Sequence, residues 1–584
     1  MKIPLRLQGW WRASWLGALL LSGCQTGAVA PVKTTAVATP PAKHVRTASE
    51  DSGGVLLKEQ AAYDVGACEL DLQIFPDKKS IAGTATIGVR VVAPMDWLVL
   101  DLDPRLAVTQ VRVAVDAGLA EVAHFERRGP RLWINLGAPK TAGTKLVAAI
   151  DYGGVPQEAL KAPWEGGFTW SRTKDGQPWI ATTCESEGAD LWWPCKDHPS
   201  DKPESFTLRI RVPEPLVVAA NGRLVEVVPH GDGTRTYHWH TAFPISNYNI
   251  ALNIAPYTTV TGPYRSVSGE TIPVTFWVLP EDRAAGEKLF PEMLAHLNFY
   301  ERVLGPYPFR AEKYGVAETP HLGMEHQSII AYGNKFKGGP LGYDWLHHHE
   351  LGHEWWGNLV TVSDWRDFWI HEGLCTYMQA LYAEEREGLM AYHTAMYNSR
   401  RGLKNEHAIV PEENTTAQGI EDLLGNEVYN KGSWVVHMLR YLVGKDTMLT
   451  TLRRFAYPTE AAERSTDGSA CHFATSADFI RVANQVSGRD LGWFFNFYLF
   501  QPKLPKLVAT IEGDKLLLRW ETPAGYPFPM PVEIEVDGQV ERIEMPGGQA
   551  ELSAARYGHA KLDPSMWILK ANRPIEVQPA GLQP

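Results

Sequence analysis

Hydrophobic and polar residues alternate with a period of two through much of the first half of the chain. Residues 70–74 alternate cleanly, residues 81–91 carry several β-branched side chains, and residues 206–212 and 237–240 repeat the pattern. Alternation broken by turn residues is typical of half-buried β-strands. Many short strands in succession predict an all-β N-terminal domain, a sandwich or an open barrel, over residues 57–262.

The hydrophobic period changes to that of an α-helix after residue 278. A short β section is predicted over residues 314–332, and Gly388 is a plausible helix stop. Helices are predicted over residues 289–304, from Glu372 to near 388, over 429–442 and over 477–499. This region, 263–503, is therefore interpreted as an α-rich domain that carries a small sheet.

Two-residue alternation returns in the last 80 or so residues. Residues 507–511, 515–520, 532–536 and 540–544 read as strands. A segment of this length predicts a small C-terminal immunoglobulin-like β-sandwich over residues 504–584. The fold class expected for the whole chain is multidomain α+β, since 584 residues are too many for one core.

The N-terminus has the pattern of an export signal. Basic residues precede a short apolar run that ends in Leu21-Ser-Gly-Cys24. This ending resembles a bacterial lipobox, which implies a signal peptide over residues 1–24 and a lipid on Cys24; a plain secretory signal is the alternative. Residues 25–56 are rich in Ala, Thr, Pro and Val and predict a disordered linker. We expect a lipid-anchored protein of the cell envelope, on the periplasmic side of the outer membrane or on the cell surface, and not in the cytoplasm.

The net charge and the cysteine content of the chain bear on its binding partners and its disulfides. The formal net charge is −11 and no basic stripe is present, so a nucleic-acid partner is not expected. Beyond Cys24, the five cysteines Cys68, Cys184, Cys195, Cys375 and Cys471 are an odd number, so at least one thiol stays unpaired in an oxidising compartment. Spacing alone does not show whether Cys184 and Cys195 are bridged.

The strongest chemical signal is the HExxH pattern at residues 349–353. Histidines four apart on a helix share a face, so His349 and His353 can reach one ion, and Glu350 lies beside it as a candidate general base for metal-bound water. A zinc site needs a third protein ligand and an open position. Glu372, separated from His353 by eighteen residues, is the candidate ligand. An amphipathic helix with exposed histidines is the alternative reading of HExxH alone.

With these motifs the chain resembles the zinc aminopeptidases of the aminopeptidase N and leukotriene hydrolase family, over most of residues 60–500. The resemblance implies a thermolysin-like catalytic domain with one Zn²⁺ per chain, bound by His349, His353 and Glu372. Gly323-Met324-Glu325-His326 is similar to the family's GxMEN signature, which implies that Glu325 binds the free α-amine of a peptide. Gly323 and Met324 would present backbone groups to the extended substrate. His326 departs from the usual Asn.

Two further segments extend the resemblance. Residues 182–188 resemble the family's TQxE segment, which implies that Glu185 is a second amine-binding carboxylate. Residues 427–432 resemble the segment with the catalytic tyrosine, which implies that Tyr429 donates a hydrogen bond to the oxyanion. Cys375, one helical turn after Glu372, is interpreted as a packing residue rather than a ligand.

The expected function is that of an aminopeptidase that acts on peptides with a free N-terminus. The alternatives are a zinc endopeptidase, which has no reason to keep Glu325, and an epoxide hydrolase of the same family. A non-catalytic surface scaffold is a further alternative, although this chain retains every ligand and the base. No sequence feature identifies the preferred first residue of the substrate.

Overall fold

The computed structural model describes residues 51–571 and 578–579. The predicted signal peptide, Cys24 and residues 25–50 of the predicted linker lie outside this part of the chain. The linker prediction extends too far, because residues 52–54 are hydrogen-bonded to both neighbouring domains. No helix in the described part is long and apolar enough to cross a bilayer.

The N-terminal region is all-β, as the alternation predicts. Between residues 63 and 255 it contains fifteen strands. They are β1 (Tyr63–Phe75), β2 (Ser80–Val91), β3 (Met95–Asp101), β4 (Leu106–Val115), β5 (Glu121–Val122), β6 (Phe125–Arg128), β7 (Arg131–Lys140), β8 (Lys145–Gly154), β9 (Gly167–Arg172), β10 (Pro178–Thr183), β11 (Ser205–Pro213), β12 (Val217–Ala220), β13 (Arg223–Pro229), β14 (Thr234–Thr241) and β15 (Leu252–Ala255).

These strands form three sheets. The largest has eight strands in the order β13-β14-β11-β1-β2-β8-β4-β5, a second has the order β12-β15-β10-β9, and a third has the order β3-β7-β6. Every second residue of β8 is buried from Leu146 to Tyr152, as expected for a strand with one face on the core. β10 ends at Thr183, so the second sheet presents the following residues, 184–188, to the catalytic region.

The region that follows is mainly helical and contains a small sheet. Its strands are β16 (Thr258–Arg265), β17 (Thr271–Val278), β18 (Tyr314–Glu318), β19 (Gly323–Met324), β20 (Ile330–Tyr332), β21 (Val360–Val362) and β22 (His472–Ala474). Its helices are α1 (Arg283–Leu304), α2 (Trp345–Gly352), α3 (Trp369–Glu387), α4 (Leu389–Ser399), α5 (Ala417–Leu424), α6 (Glu427–Val443), α7 (Lys445–Ala456), α8 (Glu460–Arg464), α9 (Ser476–Ser487) and α10 (Gly492–Phe500).

Three helix predictions need correction at their limits. α1 begins six residues before the predicted position 289, and α3 begins at Trp369 rather than at Glu372. The helix predicted over 477–499 is two helices, α9 and α10. Gly488 adopts a left-handed conformation after α9, which stops the helix, and α10 begins at Gly492.

The small sheet places one edge strand beside the HExxH helix. Its order is β16-β17-β18-β20-β19, so β19 lies at the edge and, among the described strands, pairs with β20 alone. The predicted domain boundary between residues 262 and 263 falls inside β16, which pairs along its whole length with β17. An edge strand leaves backbone groups free for an extended peptide.

The C-terminal region is again built from strands. They and one short helix are β23 (Lys506–Glu512), β24 (Lys515–Glu521), β25 (Val532–Val536), β26 (Gln539–Ile543), β27 (Gln549–Ser553), α11 (Ala554–Tyr557), β28 (Lys561–Leu562) and β29 (Gln578–Pro579). They form a four-stranded sheet, β27-β24-β23-β29, and a three-stranded sheet, β26-β25-β28. Among the five cysteines of the described chain there is no disulfide.

Candidate metal centre and peptide cleft

Three predicted metal ligands converge at the junction of α2 and α3. His349 lies in the last turn of α2, and His353 follows the helix but keeps helical backbone angles, so the two imidazoles stay on one face. Their Nε2 atoms are 3.3 Å apart, and Glu372 Oε2 lies 3.1 Å from His349 Nε2 and 3.5 Å from His353 Nε2. All three residues are buried.

This donor set fits a zinc ion. Zinc bonds of about 2.0–2.1 Å at tetrahedral angles place neighbouring donor atoms about 3.3 Å apart. The three measured separations of 3.1, 3.3 and 3.5 Å match that spacing. His353 Nδ1 lies 2.9 Å from the carbonyl oxygen of Trp356, so this nitrogen is the protonated one and Nε2 keeps its lone pair for a metal.

The electrostatics of the cluster also favour a cation. Burial lowers the pKa of His353, but the Cys375 thiol and the carboxylates of Glu372 and Glu325 outweigh burial and raise the pKa well above its ordinary value. Burial raises the pKa of Glu372, whereas His353 and His349 together hold it well below its usual range. The cluster therefore stabilises positive charge at the point where its three donor atoms meet.

The other histidines of this segment, His347 and His348, are also buried. His347 lies 2.9 Å from His296 and 2.5 Å from the Tyr314 hydroxyl, and the His348 carbonyl accepts a hydrogen bond from Tyr300. Neither histidine is exposed to solvent. The alternative of an amphipathic helix with exposed histidines is therefore wrong, and this side of α2 is a packed aromatic core.

Glu350 lies against the backbone of the edge strand β19. A Cβ atom placed on Gly323 would lie 2.5 Å from Glu350 Oε1, so only glycine at this position lets the carboxylate come this close. Burial raises the pKa of Glu350 well above its ordinary value; Glu325 and Glu372 raise it further, and His353 lowers it. A carboxylate with a raised pKa is suited to accept and return a proton near neutral pH.

Tyr429 reaches the same point from α6. The helices α3 and α6 meet at two glycines, since a Cβ atom on Gly373 would lie 2.7 Å from the Cα atom of Gly432. This close approach brings the Tyr429 ring to 6.0 Å from the His349 ring, centroid to centroid, with an interplanar angle of 28°. Burial raises the pKa of Tyr429 well above its ordinary value, so the phenol keeps the proton that it donates.

Glu325 follows β19 directly and is held by two polar neighbours. The Tyr248 hydroxyl donates to Glu325 Oε1 over 3.0 Å, and the Asn358 amide donates to the Glu325 carbonyl over 3.0 Å. The Glu325 carboxylate lies within 4.8 Å of ligand atoms of both Glu350 and His353. It is therefore placed beside the reacting centre, and only 3% of its surface is exposed.

Glu185 completes a pair of carboxylates at this end of the cleft. It comes from the loop after β10, in the N-terminal region, and its side chain lies next to that of Glu325. Burial raises its pKa well above the ordinary value, and the carboxylates of Glu325 and Glu372 add to the rise. Glu185 Oε1 is buried and lacks a hydrogen-bond partner among the described residues. A buried pair of this kind takes up a cation readily, because the cation relieves their repulsion.

The predicted site residues line one cleft of about 390 Å³. The structure brings together all nine: Glu185, Gly323, Met324, Glu325, His349, Glu350, His353, Glu372 and Tyr429. Two other residues singled out from the sequence are buried outside this lining. Cys375 packs beneath the centre, where a Cβ on Gly352 would lie 3.0 Å from its Sγ. His326 is fully buried, and both its ring nitrogens lack partners among the described residues.

Sequence reasoning missed two acidic residues of the cleft, the exposed Asp422 and the more buried Glu421. Glu421 lies on α5, lines the same cavity as the metal ligands and has the Ser186 side chain next to its carboxylate. Burial raises its pKa to about 7, against the effect of Ser186. Glu421 precedes Tyr429 by eight residues but belongs to none of the recognised motifs, so only the fold reveals its place.

Comparisons with known proteins agree with this geometry. A family model described as the peptidase M1 N-terminal domain matches residues 60–249, and one described as the peptidase family M1 domain matches residues 345–497. Endoplasmic reticulum aminopeptidase 1 of Mus musculus is 23% identical over 422 residues, which cover 66% of this chain and 44% of that protein. The chain thus spans less than half the length of this relative.

Other relatives are covered more fully. A leukotriene A-4 hydrolase homolog of Botryotinia fuckeliana is 25% identical over 499 residues, which cover 79% of this chain and 73% of that protein. Among solved structures, the M1 zinc metallopeptidase from Deinococcus radiodurans has a TM-score of 0.62 and 22% identity, covering 76% of this chain and 95% of that chain. A mutant of that enzyme bound to a Tyr-Ser-Ala substrate gives the same TM-score at 21% identity. These structural matches establish the fold.

Proposed function

The chain belongs to the peptidase M1 family, and on this basis we propose that it is a zinc aminopeptidase that removes the first residue of peptides. The observation that carries the proposal is the carboxylate pair of Glu325 and Glu185 beside the metal ligands. An ammonium group is costly to bury without a carboxylate partner, so this pair selects substrates with a free amine. Its fixed distance from the centre limits cleavage to the first peptide bond.

His349, His353 and Glu372 would hold the zinc ion. When bound, zinc polarises the scissile carbonyl and lowers the pKa of water. The cleft residues supply the rest of the chemistry. Glu325 and Glu185 bind the ammonium group, and the edge of β19 at Gly323 and Met324 lies alongside the extended peptide.

Proton transfer is assigned to Glu350. Its carboxylate accepts a proton from the attacking water and returns the proton to the leaving amine, and burial raises its pKa in the direction that favours proton uptake. The Tyr429 hydroxyl donates a hydrogen bond to the oxyanion that forms at the carbonyl. A donor of this kind contributes roughly 3–4 kcal/mol to lowering the barrier.

A panel of aminoacyl fluorogenic amides tests the proposal. We expect release of the fluorophore from amides with a free α-amine, no release from their N-acetylated counterparts, and loss of activity with a chelator that zinc restores. Inactivity on free amides together with cleavage of blocked internal peptides would instead identify an endopeptidase. The relative rates of hydrolysis of the amides also identify the preferred first residue.

We also propose that the protein is a lipoprotein of the cell envelope, with a lipid on Cys24. The support is the Leu21-Ser-Gly-Cys24 sequence after a short apolar run with basic residues before it. Cys24→Ser should move the protein from the membrane fraction to the soluble fraction of an expressing bacterium and abolish labelling by a radioactive fatty acid. Unchanged labelling of the variant would contradict the anchor.

For the C-terminal region we propose an immunoglobulin-like sandwich. The support is its pair of small sheets, of four and three strands, and the buried apolar residues that each contributes, such as Leu516 and Ile534. An experimental structure in which the two sheets do not pack face to face would contradict this assignment.

A further inference from the structure

Residues Ser52, Gly53 and Gly54 form a strap that crosses from the N-terminal region to the catalytic region. On one side, Ser52 N donates to the Ser186 carbonyl over 3.4 Å and Gly53 N donates to the Asp197 carbonyl over 3.3 Å. On the other side, Gly53 forms a β-bridge with Thr416. The strap thus ties together two segments far apart in sequence, both of which lie next to the peptide cleft.

One route leads from the strap to Glu185 and Glu421. Ser52 N donates to the backbone carbonyl of Ser186, the residue after Glu185. The Ser52 carbonyl in turn accepts a 2.9 Å hydrogen bond from Ala417 N, at the start of α5. Glu421, on that helix, lies next to the Ser186 side chain. Ser52 itself is 3% exposed, so its bonds are shielded from water. The strap therefore fixes both walls of the cleft at its acidic end.

A second route leads from the strap to Glu325. Gly53, at φ +88°, lies directly on the Trp365 indole, since a Cβ atom there would overlap Trp365 Cδ1. Trp365 packs against Tyr248, with ring centroids 5.8 Å apart, and Tyr248 donates to Glu325 Oε1. The position of Tyr248, and with it the orientation of the Glu325 carboxylate, thus depends on the contact between Gly53 and Trp365.

We propose that the Ser52–Gly54 strap is a positioning element for the amine-binding end of the cleft, and that it sets the affinity for the free amine of the substrate. The inference rests on the proposed aminopeptidase function and extends it. The strap meets both amine-binding carboxylates through their neighbours, whereas the metal ligands are held by α2 and α3. Its loss should therefore weaken amine binding without removing the metal.

Gly53→Ala in the full chain tests this proposal. The added Cβ would meet Trp365, and alanine disfavours a positive φ, so the strap must shift away from the indole. Gly538→Ala is the matched control, because Gly538 has φ +77° in a turn of the C-terminal region and a Cβ atom added there would have no neighbour within 4 Å. The control carries a similar backbone penalty without touching the strap.

The readout is binding to the zinc-loaded proteins by titration calorimetry. Leucine hydroxamate carries the free amine, and 4-methylpentanohydroxamate is the same molecule without it. We expect Gly53→Ala to raise the Kd for leucine hydroxamate at least about 10-fold. The Kd for 4-methylpentanohydroxamate should change less than about 2-fold. The kinetic counterpart is a rise in KM for aminoacyl amides that exceeds the fall in kcat. Gly538→Ala should match the wild type in each measurement.

A second variant covers the case in which Gly53→Ala does not fold. Ala417→Pro removes the N–H that donates to Ser52, and proline is accepted at the first position of a helix. The preceding Thr416 has φ −84° and ψ 163°, which a following proline permits. Glu460→Pro, at the first position of α8, is its control, since Thr459 before it is likewise extended.

The outcomes separate the two proposals. If the wild type binds both hydroxamates equally, the amine site and the aminopeptidase proposal fail. If the wild type binds leucine hydroxamate more tightly than 4-methylpentanohydroxamate and the folded strap variants keep the full difference, the strap inference is overturned. The aminopeptidase proposal is then still supported. Equal weakening of both hydroxamates by the strap variants would also overturn it, because a general structural defect would then explain the loss.

Discussion

Glu350→Gln should lower kcat by about 10³–10⁴-fold, with KM and zinc content close to those of the wild type. Glutamine keeps the size of the side chain but cannot accept a proton from water, and general-base catalysis contributes about 10²–10⁴-fold. The upper part of this range is expected because Glu350 both accepts the proton and returns it to the leaving amine. A 10³–10⁴-fold loss corresponds to about 4–5.5 kcal/mol of barrier.

Steady-state kinetics on the best aminoacyl amide, with metal analysis of the same samples, measures this effect. Glu385→Gln is the matched control, since it makes the same chemical change on α3 at an exposed ion pair with Arg302. It should change kcat by less than about 2-fold. A loss below about 10-fold in Glu350→Gln at full zinc content would show that another group moves the proton, and Glu325, whose carboxylate lies within 4.8 Å of that of Glu350, would be tested next.

The metal centre could be predicted from sequence because its residues are tied to local structure. HExxH places two imidazoles on one helical face, and a glutamate separated from the second histidine by eighteen residues lies on a second helix packed beside the first. The resemblance to known aminopeptidases identifies Glu325, Glu185 and Tyr429 as site residues. Their spacing in the sequence does not predict how far they lie from the metal ligands. The structure brings all of them to one cleft, although their catalytic roles stay predictions until the variants are measured.

What the sequence did not reveal depends on tertiary contacts of backbone or of isolated side chains. The Ser52–Gly54 strap ends a segment of low complexity, and its role rests on backbone hydrogen bonds that leave no pattern in the residue types. Glu421 lies on the short helix α5, and the pattern of acidic residues there is that of an ordinary solvent-exposed helix face. The division between α9 and α10 falls at the short polar segment Ser487-Gly-Arg-Asp490, and the helical pattern on both sides of it predicts a single helix although the left-handed Gly488 ends α9.

Fold predictions succeeded where one face of an element is buried. The alternation over residues 70–74 in β1 and the helical period in α1 reflect such faces, so these elements were predicted and only their ends were misplaced. Helix ends are less certain because the first turn depends on capping rather than on periodicity. α3 illustrates this point: it begins at Trp369, after a 3₁₀ turn that starts at Trp365, with no side-chain cap.

Glu325→Gln should lower kcat/KM for aminoacyl amides by about 10²–10³·⁵-fold. The substrate ammonium would then lie in the cleft opposite a neutral amide, and removing one partner of a buried ion pair costs about 3–5 kcal/mol. Tyr248, which donates to Glu325 Oε1, would still find an acceptor in the glutamine carbonyl, so the fold of the cleft should survive. The remaining Glu185 carboxylate sets the lower bound of the loss, because it can still meet the ammonium.

The decisive quantity is the ratio of kcat/KM for a free aminoacyl amide to that for its des-amino analogue. In the wild type this ratio should be large, and in Glu325→Gln it should collapse because only the amine-bearing substrate loses a partner. Asp422→Asn is the control. Asp422 lines the same cleft but is exposed, and its replacement by Asn removes one negative charge, as Glu325→Gln does. If both variants lower the ratio equally, the general negative potential of the cleft draws the amine, and Glu325 is not its docking point. A collapse confined to Glu325→Gln makes this carboxylate the group that fixes the amine, and with it the bond that is cut.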